Sequence, residues 1–231
     1  MKFNDFLTKA FPIGDPFKRD ELGLIHNTIK YLAVRFSYIF YKLRVSANML
    51  DMIGALLVTP SFYLIFIALE TKEISYFLIG FGILAFTIFI DFIDGPLSKM
   101  SKFRYAVGNN LDNLCPDLIS WTSVIFIGYM TQNDFLSILC AINVVFFITY
   151  KVKTKKNISV NDQWLLTFLH SKFSLLSVRV LPSSIFPILC IIYIYKVDLA
   201  ILASQILVIS YALLSCLWVR ATLKDNSALN D

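Results

Sequence analysis

The run Ile74-Ser-Tyr-Phe-Leu-Ile-Gly-Phe-Gly-Ile-Leu-Ala-Phe-Thr-Ile-Phe-Ile90 has no charged residue, and it ends on Asp91-Phe-Ile-Asp94-Gly95. Such a run predicts a membrane-spanning helix, because about 20 apolar residues cross the hydrocarbon of a bilayer. Carboxylates set against it are costly to keep, so each asks for a physical reason. If the helix continues through the acids, Asp91 and Asp94 lie about 60° apart around its axis, on one face. Two acids facing the same way repel unless a cation sits between them. The pair therefore reads as one side of a divalent-metal site. Further along, Gly108, Asp112 and Asp117 follow at short spacing.

The rest of the chain agrees with a membrane class. Of 231 residues, 57% are hydrophobic and only 16% charged, whereas soluble domains carry about a quarter charged residues. The net charge of +5 would by itself admit nucleic acid as a partner. The position of the charges argues against it. Counting apolar lengths gives six candidate spans: Met49 to Leu69, Ile74 to Ile93, Leu111 to Met130, Phe135 to Tyr150, Leu181 to Tyr195 and Leu199 to Val219. Of the 21 Lys and Arg, all but Lys72 and Lys196 then fall before the first span, after the last, or in the loops following the second and fourth. That asymmetry predicts cytoplasmic termini. It also brings Asp91, Asp94, Asp112 and Asp117 to the cytoplasmic boundary, with Lys99, Lys102 and Arg104 nearby. The basic charge is thus a feature of topology and lipid contact, and no nucleic acid is expected.

Before the spans, residues 1 to 16 read as an irregular lead-in. Leu22, Ile25, Ile29, Leu32, Phe36, Ile39 and Leu43 then recur in steps of three and four, with Lys30, Arg35, Lys42 and Arg44 between them. This is the pattern of an amphipathic helix with a basic side. Lying in the membrane interface suits it, since a span follows at once; a coiled-coil seam would show the same spacing. Residues 1–45 are accordingly read as lead-in and interfacial helix, and 46–231 as a six-span domain. Asn157 to Val180 is a mixed stretch suited to the interface. No secretory leader, repeat or low-complexity tract is read.

Written out, the acidic segment is Asp91-x-x-Asp94-Gly95-x-x-Ser98-Lys99, eight residues, Gly108-x-x-x-Asp112, then Asn-Leu-Cys-Pro-Asp117. It resembles the signature of the CDP-alcohol phosphotransferases (the class I CDP-alcohol phosphatidyltransferase family), D-x-x-D-G-x-x-A-R, eight residues, G-x-x-x-D-x-x-x-D. Asp91, Asp94, Gly95, Gly108 and Asp112 fall in register. Ser46-Ala47-Asn48-Met-Leu-Asp51 loosely resembles that family's P-N-x-x-T entry to its first span, so Asn48 and Asp51 are carried over as binding positions. The resemblance implies an all-α integral membrane fold of six helices behind a juxtamembrane helix, a homodimer, and one or two Mg²⁺ or Mn²⁺ ions. Aspartates 91, 94, 112 and 117 would hold the metal, with Gly95, Lys99 and Gly108 near the nucleotide. A CDP-linked alcohol, expected to be CDP-diacylglycerol, would pass its phospho-alcohol to an acceptor hydroxyl in phospholipid synthesis, releasing CMP. The family also holds enzymes with a CDP-linked head group and a lipid acceptor.

Three departures qualify the carry-over. Ser98 replaces Ala. Lys99 replaces Arg, turning a planar two-pronged phosphate clamp into a point charge. The fourth Asp is expected at Pro116 and stands instead at Asp117. In a regular helix position 117 lies about 140° from Asp112, so Asp117 serves as the base only if the helix widens there; Pro116, lacking an N–H, favours such a π-type bulge. Without it, the chain would be a three-carboxylate homologue of altered or lost activity. Arg179 is a candidate for an acceptor phosphate or a snorkelling anchor. His26 and His170 lack partner spacing for a metal. Cys115, Cys140, Cys190 and Cys216 read as small hydrophobes. A cation transporter remains the alternative of another class, although it would favour mid-membrane acids and repeated halves.

Overall fold

The computed structural model describes residues 2–11, 24–100, 114–154 and 181–227, with side-chain surroundings absent for part of these. The described residues form eight helices and no strand: α1 (Phe3–Ala10), α2 (Leu24–Lys42), α3 (Ala47–Thr71), α4 (Ile74–Met100), α5 (Leu114–Met130), α6 (Asp134–Thr154), α7 (Leu181–Tyr195) and α8 (Val197–Ser227). They divide into two compact units, residues 1–66 with 75–118, and residues 67–74 with 119–231.

α3 and α4 are long and apolar enough to cross a membrane. Only 39% and 33% of their most apolar windows are buried within the protein. Leu56, Tyr63, Leu78, Ile79 and Phe86, all more than half exposed, lie on their outer sides. Apolar helices of this length with so little of their surface buried suit hydrocarbon as their solvent better than water. Hydroxyls on these two helices are satisfied by carbonyls of their own helix, as lipid demands. Thr87 donates to Ile83 O at 2.9 Å, and Ser61 to Val58 O at 3.0 Å.

In the first unit α3 and α4 touch closely at Gly80. A Cβ there would stand 2.7 Å from Ser61 O, 3.0 Å from Ile65 Cγ1 and 3.1 Å from Leu64 Cβ. The absent side chain is what lets the backbones approach. α4 does not stop at the acids: it continues past Gly95 and Pro96 to Met100, so the sequence boundary at Ile93 falls short. Hydropathy ends a span where charge begins, but hydrogen-bonded helix can run on into the interface.

The start of the chain also departs from expectation. Residues 3–10 form a helix where an irregular lead-in is predicted. The Lys2 N–H donates to the Asp5 carboxylate at 3.1 Å, tying down the first turn. Phe6 and Ala10 are buried with Val34, and Phe3, Leu7, Phe11, Tyr38, Tyr41 and Met100 pack around them. Eight residues give too short a period to recognise without the partner that covers them.

α2 matches the amphipathic reading, and its apolar stripe faces outward. Leu32, Phe36, Ile39 and Leu43 are exposed, whereas Ala33, Val34 and Ser37 are buried. Ala33 joins Ala47, Leu50, Ile90, Ile93 and Leu97 in one core. Small residues bring α2 close to α4, and the Ser37 hydroxyl lies 2.6 Å from Ile93 O and 2.7 Å from Ala33 O. The larger side chains of α2 are left for an apolar surrounding outside the protein. α1 and α2 therefore pack as part of the first unit.

In the second unit α8 packs against α6 and α7. α5 and α6 meet at Gly128, where a Cβ would come within 2.9 Å of Cys140 Cβ. The turns at one end are tied together by polar contacts. Tyr129 donates to Glu70, Gln132 Nε2 to Tyr193 Oη at 2.9 Å, and Lys72 Nζ lies 3.6 Å from the centre of the Tyr193 ring. Removal from water holds the Lys72 ammonium below the ordinary lysine value, and Glu70 pulls it the other way. Lys72 thus packs on a residue three positions before Lys196 in the chain.

Candidate functional site

The acids gather in the first unit. Because α4 is helical throughout, Asp91 and Asp94 are held about 60° apart on its surface, as their spacing requires. Asp94 is buried and Asp91 half-buried. Asp51 comes from the first turns of α3 and is also buried, 4% exposed. Cys115 opens α5. The charges of Asp91, Asp51 and Asp94 all reach its thiol, so three helices converge at this level. Gly54 makes the approach possible: a Cβ there would meet Cys115 Sγ at 3.6 Å and methyls of Ile90 and Thr87 at 3.7 Å.

Asp117 is buried, 8% exposed, within the same unit. It lies two residues after Cys115 on a helix that is regular from Leu114, so it points about 160° away from the thiol around the axis. Pro116 falls in the first turn of the described helix. The Asp112 carbonyl that an N–H at position 116 would bond in a regular helix lies outside the described residues, and so does the turn at which the bulge is expected. The register of Asp117 with Asp112 lies outside the described residues, as do Asp112 itself, Gly108 and Arg179.

The remaining expected residues divide by surroundings. Gly95 is exposed, and nothing stands within 4 Å of a Cβ built on it. Among the described residues, none covers this point of α4. Lys99 is exposed, its Nζ 4.5 Å from the centre of the Phe11 ring. Asn48 is half-buried in the first turn of α3. Asp51 is the residue that sequence reading undervalues: it enters only through a loose likeness, yet it faces the α4 acids. A carboxylate placed just inside an apolar span-length run is the signal the sequence carries.

Oxygen ligands of this kind suit a hard cation such as Mg²⁺ or Mn²⁺. Among the described residues, however, no three His, Cys, Asp or Glu side chains are close enough together to hold a metal ion. Asp91, Asp94 and Asp51 do not complete a metal site on their own. No known protein family, no curated protein and no solved structure matches the chain.

Proposed function

We propose that this chain is a polytopic membrane enzyme of six spans that transfers a phospho-alcohol group from a CDP-linked alcohol to an acceptor hydroxyl, releasing CMP. The observation that carries the reading is the convergence of Asp51, Asp91 and Asp94 on Cys115 at the end of two span-length helices. Acids are kept there at a cost that a charged substrate and its counter-ion would offset. The missing metal ligand would be Asp112, which lies three residues before Cys115 and falls on the Cys115 side of any helix containing both. A divalent cation held by Asp91, Asp94 and Asp112 would neutralise the pyrophosphate and the departing CMP.

The chain's own residues do the rest. The acceptor oxygen attacks the phosphorus that bears the alcohol, the P–O bond to CMP breaks, and a carboxylate takes the hydroxyl proton. None of the described residues comes within 4 Å of a Cβ at Gly95, which supports placing the nucleotide there, and Lys99, with Arg179, would balance phosphate charge. CDP-diacylglycerol suits a site at the membrane boundary; a CDP-linked head group with a lipid acceptor is the alternative. Cytoplasmic termini, a cytoplasmic site and a homodimer complete the proposal.

A second reading is favoured by Asp117, which is turned away from Cys115. A base missing from the cluster would make the chain a silent homologue that binds without transferring. The decisive assay is CMP release from CDP-diacylglycerol and from CDP-linked head groups, with Mn²⁺ and a panel of alcohols. Wild type is expected to release CMP, and Asp94→Asn to reduce the rate about a hundredfold or more. A near-normal rate in Asp117→Asn removes that residue from the chemistry. No release by folded protein from either donor class establishes the silent homologue.

A further inference from the structure

We propose that the elbow between α2 and α3 is a binding site for the phosphate of an anionic glycerophospholipid, separate from the acids and independent of whether they are catalytic. A cavity of about 440 Å³ opens there. Its polar lining includes Tyr41, Lys42, Arg44 and Ser46, and Leu97 and Met100 of α4 form its apolar side. No carboxylate lines it among the described residues. Two cations and two hydroxyl-bearing residues make a positively charged recess with room for a phosphate and the group that carries it.

The backbone of the elbow strengthens that charge. Carbonyls at the end of a helix are partly negative and would repel an anion. Here three of the last four are occupied: Ile39 O accepts from Leu43 N at 3.0 Å, Tyr41 O from Arg44 N at 3.1 Å and Phe40 O from Val45 N at 3.0 Å. On the other side Ser46 Oγ accepts the Met49 N–H at 3.2 Å, and α3 begins at Ala47. Ser46 and Ala47, at the positive end of α3, line the cavity, while the negative end of α2 is largely covered.

Arg44 is the unusual member. Its φ is 59°, the left-handed conformation that closes α2 and that glycine fills at lowest cost. An arginine there is less stable than glycine would be, yet Arg44 lines the cavity. That combination fits retention for binding.

The exposed stripe of α2 selects a lipid over a soluble phosphate. Leu32, Phe36, Ile39 and Leu43 run along the outside of α2 to the elbow, with Leu43 65% exposed between the two cations. A ligand with a phosphate at Lys42 and Arg44 and acyl chains along this stripe satisfies both surfaces; a free phosphate satisfies one.

The test is native mass spectrometry of the purified full chain in neutral detergent, titrated with phosphatidylglycerol or phosphatidylcholine. Thermal unfolding is followed in parallel. Wild type is expected to retain phosphatidylglycerol in preference and to gain thermal stability from it. Lys42→Gln and Arg44→Gly should each weaken that preference roughly fivefold. Arg44→Gly should also unfold at a higher temperature than wild type without lipid, because glycine relieves the left-handed residue; binding loss then cannot be misfolding. Undiminished phosphatidylglycerol preference in Arg44→Gly overturns the site. Displacement of the lipid by equimolar inorganic phosphate or CMP overturns the lipid assignment and gives the recess to a soluble phosphate.

Discussion

Gly80 and Gly82 stand two residues apart in α4, and replacing each by alanine should change stability in opposite directions. At Gly82 nothing lies within 4 Å of the new Cβ. Only the backbone responds, and alanine is favoured over glycine in a helix by about 1 kcal/mol. At Gly80 the same methyl group meets Ser61 O at 2.7 Å, with Ile65 Cγ1 at 3.0 Å and Leu64 Cβ at 3.1 Å. Ordinary contact starts near 3.4 Å, and the nearest obstacle is backbone, which cannot rotate aside. α3 and α4 must separate by roughly 0.7 Å, and overpacking of this kind costs about 1–3 kcal/mol. After the same helix gain is subtracted, Gly80→Ala should lose up to about 2 kcal/mol, leaving about 1–3 kcal/mol between the variants. Unfolding by sodium dodecyl sulfate in mixed micelles, followed by far-UV circular dichroism, reads the difference. Equal midpoints for the two variants would refute the close α3–α4 contact, and with it the frame that presents Asp51 to Asp91 and Asp94.

Two other outcomes follow from contacts already described. Ser37→Ala removes the hydroxyl 2.6 Å from Ile93 O and should cost about 1 kcal/mol; faster hydrogen exchange in α2 than in wild type would accompany it, and unchanged exchange would show that α2 does not depend on this bond. Because Lys72 is held below the ordinary lysine value when folded, the unfolded chain binds its proton more tightly, and stability should rise with pH up to about 10.5. Lys72→Met should flatten that rise in alkaline unfolding titrations, whereas an identical pH profile would count against the packing on Tyr193.

Much of this protein is legible before folding. The uncharged run from Ile74 determines that α4 exists, since a long apolar segment has few alternatives to a helix of membrane length. The three-residue spacing of Asp91 and Asp94 determines that they share a face, because helical periodicity is a property of the backbone alone. The steps of three and four from Leu32 to Leu43 likewise determine that α2 is amphipathic.

What surrounds those faces is decided only by tertiary structure. Periodicity marks a stripe as apolar without saying whether protein or lipid covers it. In α2 the small residues Ala33 and Ser37 take the contact with α4, and the large ones are turned outward. α1 escapes notice because eight residues form a helix only once Val34 and Tyr38 cover Phe6. Asp51 joins Asp91 and Asp94 around Cys115 through Gly54, a contact that spans more than sixty residues of chain and leaves no local pattern. The elbow cavity is of the same kind: Lys42 and Arg44 read as ordinary basic residues until a left-handed turn sets them beside Leu97 and Met100. Local periodicity is written residue by residue, whereas the neighbours of a charge depend on which distant surfaces have lost their solvent.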